Sequence, residues 1–295
     1  MTTTTQAVLT TPTPGFAKRK ARALIGWMSE EDGALWVSGR VVSGGPRDPA
    51  HIAICRQSRD VVATRPSGLD QTNLFVPLPP ELAAHIEALR QNPTSAEVLA
   101  SSGQPLIVDL TRICAAQPTI YVEDAINRVA GILPNDLEAI IRVTLPLHEK
   151  QMMPVAFDPH KNAWLFSSPN PNLRVIGNFQ AEVPPGLTGF GFVVGISRSY
   201  LQVAGLNGRY FLRDGYHRAY GLLAAGIRYA PALVKDFASF EEVGLPQGLL
   251  PQHTYLGDRP PLLSDYLDDT VAVNTFLPVT TKMVALQALE LNSIG

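Results

Sequence analysis

The tract at residues 210–234 constrains the fold of this 295-residue chain more than any other. Tyr210-Phe-Leu212 reads as the end of a buried strand and Arg213-Asp-Gly-Tyr216 as a turn. Arg218-Ala-Tyr-Gly-Leu-Leu-Ala-Ala225 reads as a helix closed by Gly226, and Tyr229-Ala-Pro-Ala-Leu-Val234 as the next strand. A helix beginning at such a turn offers unpaired backbone N–H groups and the positive end of its dipole, and Gly215 lets the backbone adopt a positive φ there. An anion is stabilised at such a place. His217 can add a donor, and Arg218 a forked guanidinium suited to two phosphate oxygens. Asp214 can cap the helix, orient His217 or Arg218, or hold a hydroxyl or a metal ion. The same residues admit a purely structural reading, with Asp214 an N-cap, His217 packed on the sheet and Arg218 in a salt bridge.

Charge sharpens the choice. Residues 198–235 carry six basic groups, Arg198, Arg209, Arg213, Arg218, Arg228 and Lys235, against the single acid Asp214, a local balance of +5 in a chain whose net charge is -2. The overall balance excludes a field that would draw the protein to nucleic acid or an anionic membrane, so any basic site is local. Lys18, Arg19, Lys20 and Arg22 form a second basic cluster, read as a solvated helix face because no aromatic residues are interleaved for stacking on bases. Cys55 and Cys114 stand far apart without a CxxC or nearby histidines, which points to buried thiols and to no zinc site. No stretch approaches the roughly 20 apolar residues of a membrane span, so a cytoplasmic protein is expected.

Three regions are expected: a disordered tail at 1–16, a mainly helical region at 17–150 and an α+β region at 151–295. A basic amphipathic helix is predicted at 17–28, a strand at 34–42 closed by Gly44-Gly-Pro46, and loop or edge structure at 43–73. Apolar spacing predicts helices at 79–90, 122–129 and 135–143. Residues 154–157 and 163–166 read as a hairpin, 189–196, 199–204 and 208–212 as strands, and 283–291 as either strand or helix. Glycines 186, 189, 191 and 195 match no phosphate-loop pattern and read as strand glycines that permit close packing. Asp265, Asp268 and Asp269 read as a solvated helix end rather than a metal site.

Arg213-Asp-Gly-Tyr-His-Arg-Ala-Tyr-Gly-Leu-Leu-Ala-Ala-Gly226, followed by Pro231-Ala-Leu-Val234, resembles the phosphate-binding turn of the ParB-like and sulfiredoxin-like superfamily. The resemblance spans residues 207–237. It implies an α+β fold with a strand, turn, helix and strand of that type in a mixed, short-stranded C-terminal half. It also implies that Arg213, Gly215, Tyr216, His217 and Arg218 face the phosphates of ATP or CTP with Mg2+. Tyr216 stands where sulfiredoxins carry their cysteine, which removes sulfinic-acid repair. No helix-turn-helix follows residue 237, so nucleic acid is not the expected partner. Two functions follow: a nucleotide- or phosphate-binding enzyme of phosphoryl transfer or hydrolysis, with Asp214 and His217 as catalytic candidates, or a noncatalytic nucleotide-sensing or DNA-system accessory protein. Glu241, Glu242 and Asp236 are the next candidates for a base.

Overall fold

The structure is a computed structural model and describes residues 18–39, 47–147, 154–168, 170, 172–183, 187–196, 199–245, 248–279 and 281–287. The tail at 1–16, Gly44-Gly-Pro46, Gly186 and Arg198 lie outside them. The fold is α+β.

Its first strand, β1 (Lys18–Ala23), occupies the stretch predicted as a basic helix, and a short 3-10 turn at Ile25–Trp27 follows it. The reason lies far along the chain. Arg19 Nη1 sits 2.9 Å from both carboxylate oxygens of Asp124, while the buried Arg22 donates Nε to the Tyr266 carbonyl and pairs through Nη1 with Asp269. Of the strand predicted at 34–42, residues 40–42 lie outside the described residues, and residues 34–37 belong instead to α1 (Glu30–Val37). Ser29 caps it by accepting the Asp32 N–H, and Glu30, Glu31 and Asp32 fill the first turn, where the dipole favours them. Most of the tract predicted as loop is α2 (Pro49–Thr64), capped by Asp48, begun by Pro49 and buried along Cys55, Ser58 and Val62.

After β2 (Phe75–Pro77), the helix predicted at 79–90 forms as a 3-10 turn at Pro80–Leu82 and α3 (Ala83–Gln91), with Leu82, Ile86 and Leu89 buried as the spacing requires. The unanticipated α4 (Pro93–Ser102) and β3 (Gln104–Asp109) come next. β4 (Thr119–Tyr121) then leads into α5 (Val122–Arg128) and α6 (Leu137–Thr144), the two remaining predicted helices.

The predicted hairpin is present as β5 (Val155–Asp158) and β6 (Ala163–Ser168), followed by a longer ribbon of β7 (Leu173–Val183) and β8 (Leu187–Ile196). A Cβ at Gly191 would fall 2.3 Å from the Phe179 ring, and one at Gly195 would fall 2.8 Å from Ile176, so these glycines do serve close cross-strand packing. β9 (Gln202–Leu206) and β10 (Arg209–Asp214) join through Asn207 and Gly208, both at positive φ as a tight hairpin turn requires. The remaining elements are α7 (Tyr216–Ala224), β11 (Tyr229–Phe237), α8 (Phe240–Val243), α9 (Gln252–Tyr255), β12 (Val273–Pro278) and β13 (Lys282–Gln287). β13 settles the strand-or-helix choice at 283–291 for its described part.

Strands from both ends of the chain share sheets. β1 lies between β12 and β4, antiparallel to both. The five-stranded sheet has the order β10-β9-β11-β3-β2, with β11 parallel to β9 and antiparallel to β3. β13-β6-β5 forms a third sheet and the β7-β8 ribbon a fourth. Alongside β10 runs the segment Ile113-Cys-Ala-Ala116, fully buried at all four residues. A buried irregular backbone must find partners for its peptide groups. Cys114 exchanges hydrogen bonds with the Tyr210 carbonyl and the Leu212 N–H, and Ala115 donates to the Pro261 carbonyl. The Ile113 and Ala116 carbonyls accept from Leu263 and Leu250, and the Ala116 N–H donates to Tyr216 Oη at 2.9 Å.

α7 packs directly on α5, where a Cβ at Gly221 would come within 2.3 Å of the Ala125 carbonyl oxygen. In an isolated helix Gly→Ala adds about 1 kcal/mol of stability. Here the clash is with backbone, which cannot rotate away, so Gly221→Ala is expected to lower stability by about 2 kcal/mol. The check is a denaturant midpoint that falls at constant slope; an unchanged or higher midpoint would disprove the close approach.

Candidate functional site

The turn between β10 and α7 begins with a break in the ladder, a register shift between Leu212 and Asp214 that sets Arg213 out of the pairing with β9. Gly215 follows at φ 97° and opens α7 without any side-chain cap. Two constraints demand glycine there: the left-handed φ, and Leu201, whose Cδ1 would lie 2.8 Å from a Cβ. Asp214 Oδ1 accepts the Gly215 N–H at 2.7 Å, and Oδ2 accepts the Ser199 hydroxyl at 2.8 Å. The buried Arg218 donates Nη1 to Ser199 Oγ at 3.3 Å. Asp214, Ser199 and Arg218 therefore form one polar chain along the first turn of α7.

The other predicted site residues are held elsewhere. Tyr216 is buried, its hydroxyl donating to the Leu212 carbonyl at 2.6 Å while accepting from Ala116, and burial drives its pKa far up. His217 accepts the Tyr121 N–H on Nε2 at 3.1 Å and stacks on the Tyr121 ring. Burial, reinforced by Arg128 and Arg218 against the opposing Asp124, pushes its pKa down to about 4. At neutral pH it is an uncharged ring with its proton on Nδ1. Arg213 lies over the Phe237 ring and donates to Gln202 Oε1.

The basic cluster of the second half disperses in the same way. Arg228 makes a forked pair with Asp109, at 3.0 and 2.6 Å, and Lys235 donates to the Ser101 carbonyl. Arg209 keeps Nη1 buried without a partner among the described residues. Among the described members of the cluster, only Arg218 joins the polar chain at the turn. Ser199 completes that chain, and no local motif marks it; it lies just before β9, whose Gln202 pairs with Asp214.

The remaining candidates have structural duties. Asp265 and Asp268 both bind Arg65, at 2.9 and 3.2 Å, and Asp269 binds Arg22. Cys55 and Cys114 are buried thiols as predicted, pushed up by burial to about 11 and about 12. Among the described residues no three His, Cys, Asp or Glu side chains are placed to hold a metal ion. None of the described helices is long and apolar enough to cross a membrane. Two surface clefts lie away from the turn. One, of about 200 Å³, lies between Trp27, Arg59, His253 and Arg259, and the other, of about 310 Å³, between His85, Ala88, Ile141 and Leu147.

Comparison with family models, with curated proteins and with solved structures finds no match to this chain.

His217 gives the fold a pH dependence. Its folded pKa of about 4 lies below the ordinary 6.5, so between those values the unfolded chain takes up a proton that the folded chain does not. The stabilisation is complete above pH 6.5 and is lost as pH falls through about 4, a total of about 3 kcal/mol. His217→Gln should remove that part of the slope of unfolding free energy against pH. Equal slopes in denaturant titrations of the two proteins would contradict the assignment.

Proposed function

We propose that this protein binds a phosphorylated small molecule, a nucleotide by class, at the amino end of α7, as a binding protein rather than a catalyst. The observation that carries this reading is the first turn of α7. A helix of nine residues opens on a left-handed glycine with no side-chain cap, and that turn carries the buried guanidinium of Arg218 beside Ser199 and Asp214. Helix dipole, backbone N–H groups and guanidinium all favour an anion at one place. The resemblance of residues 207–237 to a phosphate-binding turn supports the same reading.

The partial exposure of Asp214 and Ser199 leaves an approach from solvent. The Asp214 carboxylate lies beside the same helix end and would repel bare phosphate, so a polyphosphate carrying Mg2+ suits the site better than a free anion. The metal would offset charge there, with Asp214 and the Ser199 hydroxyl as the available oxygens. The groups that could move a proton already have partners. Asp214 holds two hydrogen bonds, His217 offers its bare nitrogen to Tyr121, and Tyr216 is enclosed. This favours binding over phosphoryl transfer, which needs a base poised at the acceptor.

Thermal unfolding with phosphate, ATP or CTP, each with and without Mg2+, tests the proposal. Saturation at 100 times Kd adds about 2.7 kcal/mol, which for a chain of this size raises Tm by about 4–5 °C. Arg218→Gln should abolish most of that rise, and Ser199→Ala should reduce it without lowering the ligand-free Tm as much. Absence of any rise in the wild type defeats the proposal. Steady release of phosphate from a nucleotide transfers it to the enzymatic alternative.

A further inference from the structure

Resting on the phosphate site read above, we infer that Arg213 is its second anion-binding group, so that the ligand carries two linked anionic groups, a diphosphate or a longer chain, rather than one. On a regular strand Arg213 and Asp214 would point to opposite faces. The register shift between Leu212 and Asp214 breaks that alternation. Gln202 pairs with Asp214 across the hairpin, and its Oε1 accepts from Arg213 Nη1 at 3.3 Å, so two successive residues of β10 meet the same residue of β9. Bulges re-aim a side chain in this way beside functional sites.

The charge of Arg213 is unmatched. The residue is partly buried, and burial lowers its pKa against the opposing pull of Asp214. Its guanidinium donates to the neutral Gln202 amide and lies over the Phe237 ring, 5.4 Å from the centroid, and it forms no ion pair among the described residues. Lys235, 5.1 Å from the centre of the same ring, adds a second cation rather than an anion. Elsewhere in the fold the arginines drawn into the structure meet carboxylates, Arg22 with Asp269, Arg65 with Asp265 and Arg228 with Asp109. A guanidinium taken part of the way out of water without such a partner costs free energy that an arriving anion recovers.

Position makes that anion part of the same ligand. Arg213 directly precedes Asp214, whose Oδ2 accepts from the Ser199 hydroxyl, and Ser199 Oγ in turn accepts from Arg218. The two guanidiniums are thus linked through Gln202, Asp214 and Ser199 without being brought together, since Gln202 and Phe237 hold one and Ser199 the other. With a carboxylate in the path between them, a single phosphoryl group meets only one guanidinium, whereas two linked phosphoryl groups reach both. A hydrogen bond to a charged group of this kind is worth roughly a 10- to 100-fold gain in affinity.

Calorimetric titration of the full chain with phosphate against pyrophosphate, and with AMP against ADP, all with Mg2+ present, tests this. The wild type is expected to bind the diphosphate of each pair roughly 10- to 100-fold more tightly than the monophosphate, a comparison that does not depend on any variant folding. Arg213→Gln should erase that preference and leave the monophosphate affinity unchanged, while Arg218→Gln should weaken both members of a pair alike. Lys235→Gln, which removes a charge from the same ring, should keep the preference. A wild type that binds both members of each pair equally overturns the inference, as does an Arg213→Gln protein that keeps the preference or a Lys235→Gln protein that loses it to the same extent. Those three outcomes leave the phosphate reading standing, whereas binding of none of the four ligands defeats both.

Discussion

A stretch of irregular backbone fully enclosed by protein must satisfy its peptide groups with whatever surrounds it, and Ile113-Cys-Ala-Ala116 does so by drawing on four other parts of the chain. β10 supplies one side, the turn at 261–263 the other, Leu250 a third contact, and the Tyr216 phenol the last. Displacing any of these would strand a buried donor or acceptor, at a cost of about 1–3 kcal/mol each. The start of α7 is therefore fixed from the core outward. The tyrosine within Asp-Gly-Tyr-His-Arg anchors the helix, and the residues on either side of it inherit their positions.

This explains how much of the site was legible in the sequence. The strand, turn and helix at 210–226 and the left-handed Gly215 follow from local chemistry, and the structure has them where the sequence puts them. The dispersal of the arginines does not follow. Arg228 turns to Asp109 and Arg213 to Phe237 because β11 is the central strand of a sheet whose neighbours come from distant parts of the chain. Charge density along a sequence measures proximity in one dimension, and a strand sends alternate side chains to opposite faces. Ser199 illustrates the converse, a site residue that precedes β9 and is brought to Asp214 by tertiary structure rather than by any local signal.

The fold divides similarly. α3 declares itself by Leu82, Ile86 and Leu89, a period that tertiary contacts only reinforce. For α1 and α2 the signals are Ser29 with three acids behind it and Asp48 with Pro49, and they outweigh the β-forming look of Ala34-Leu-Trp-Val and the loop-like composition around residue 60. β1 had no such signal. Its basic residues would suit a helix surface equally well, and only distant partners, β4 and β12 with Asp124, Tyr266 and Asp269, distinguish the two states.

That strand has a consequence for how the molecule assembles. β1 lies at the centre of its sheet, yet one neighbour is β12, and the hydrogen bond from Arg22 to Tyr266 spans 244 residues. Closing so long a loop is entropically expensive before any reward arrives, which makes the step late and slow. As the chain is synthesised, the earliest described strand can pair with β4 but must wait for β12. Until then it presents an unpaired edge bearing Lys18, Arg19, Lys20 and Arg22. Those like charges, which the finished fold neutralises in part, also keep a waiting edge from pairing with another of its kind.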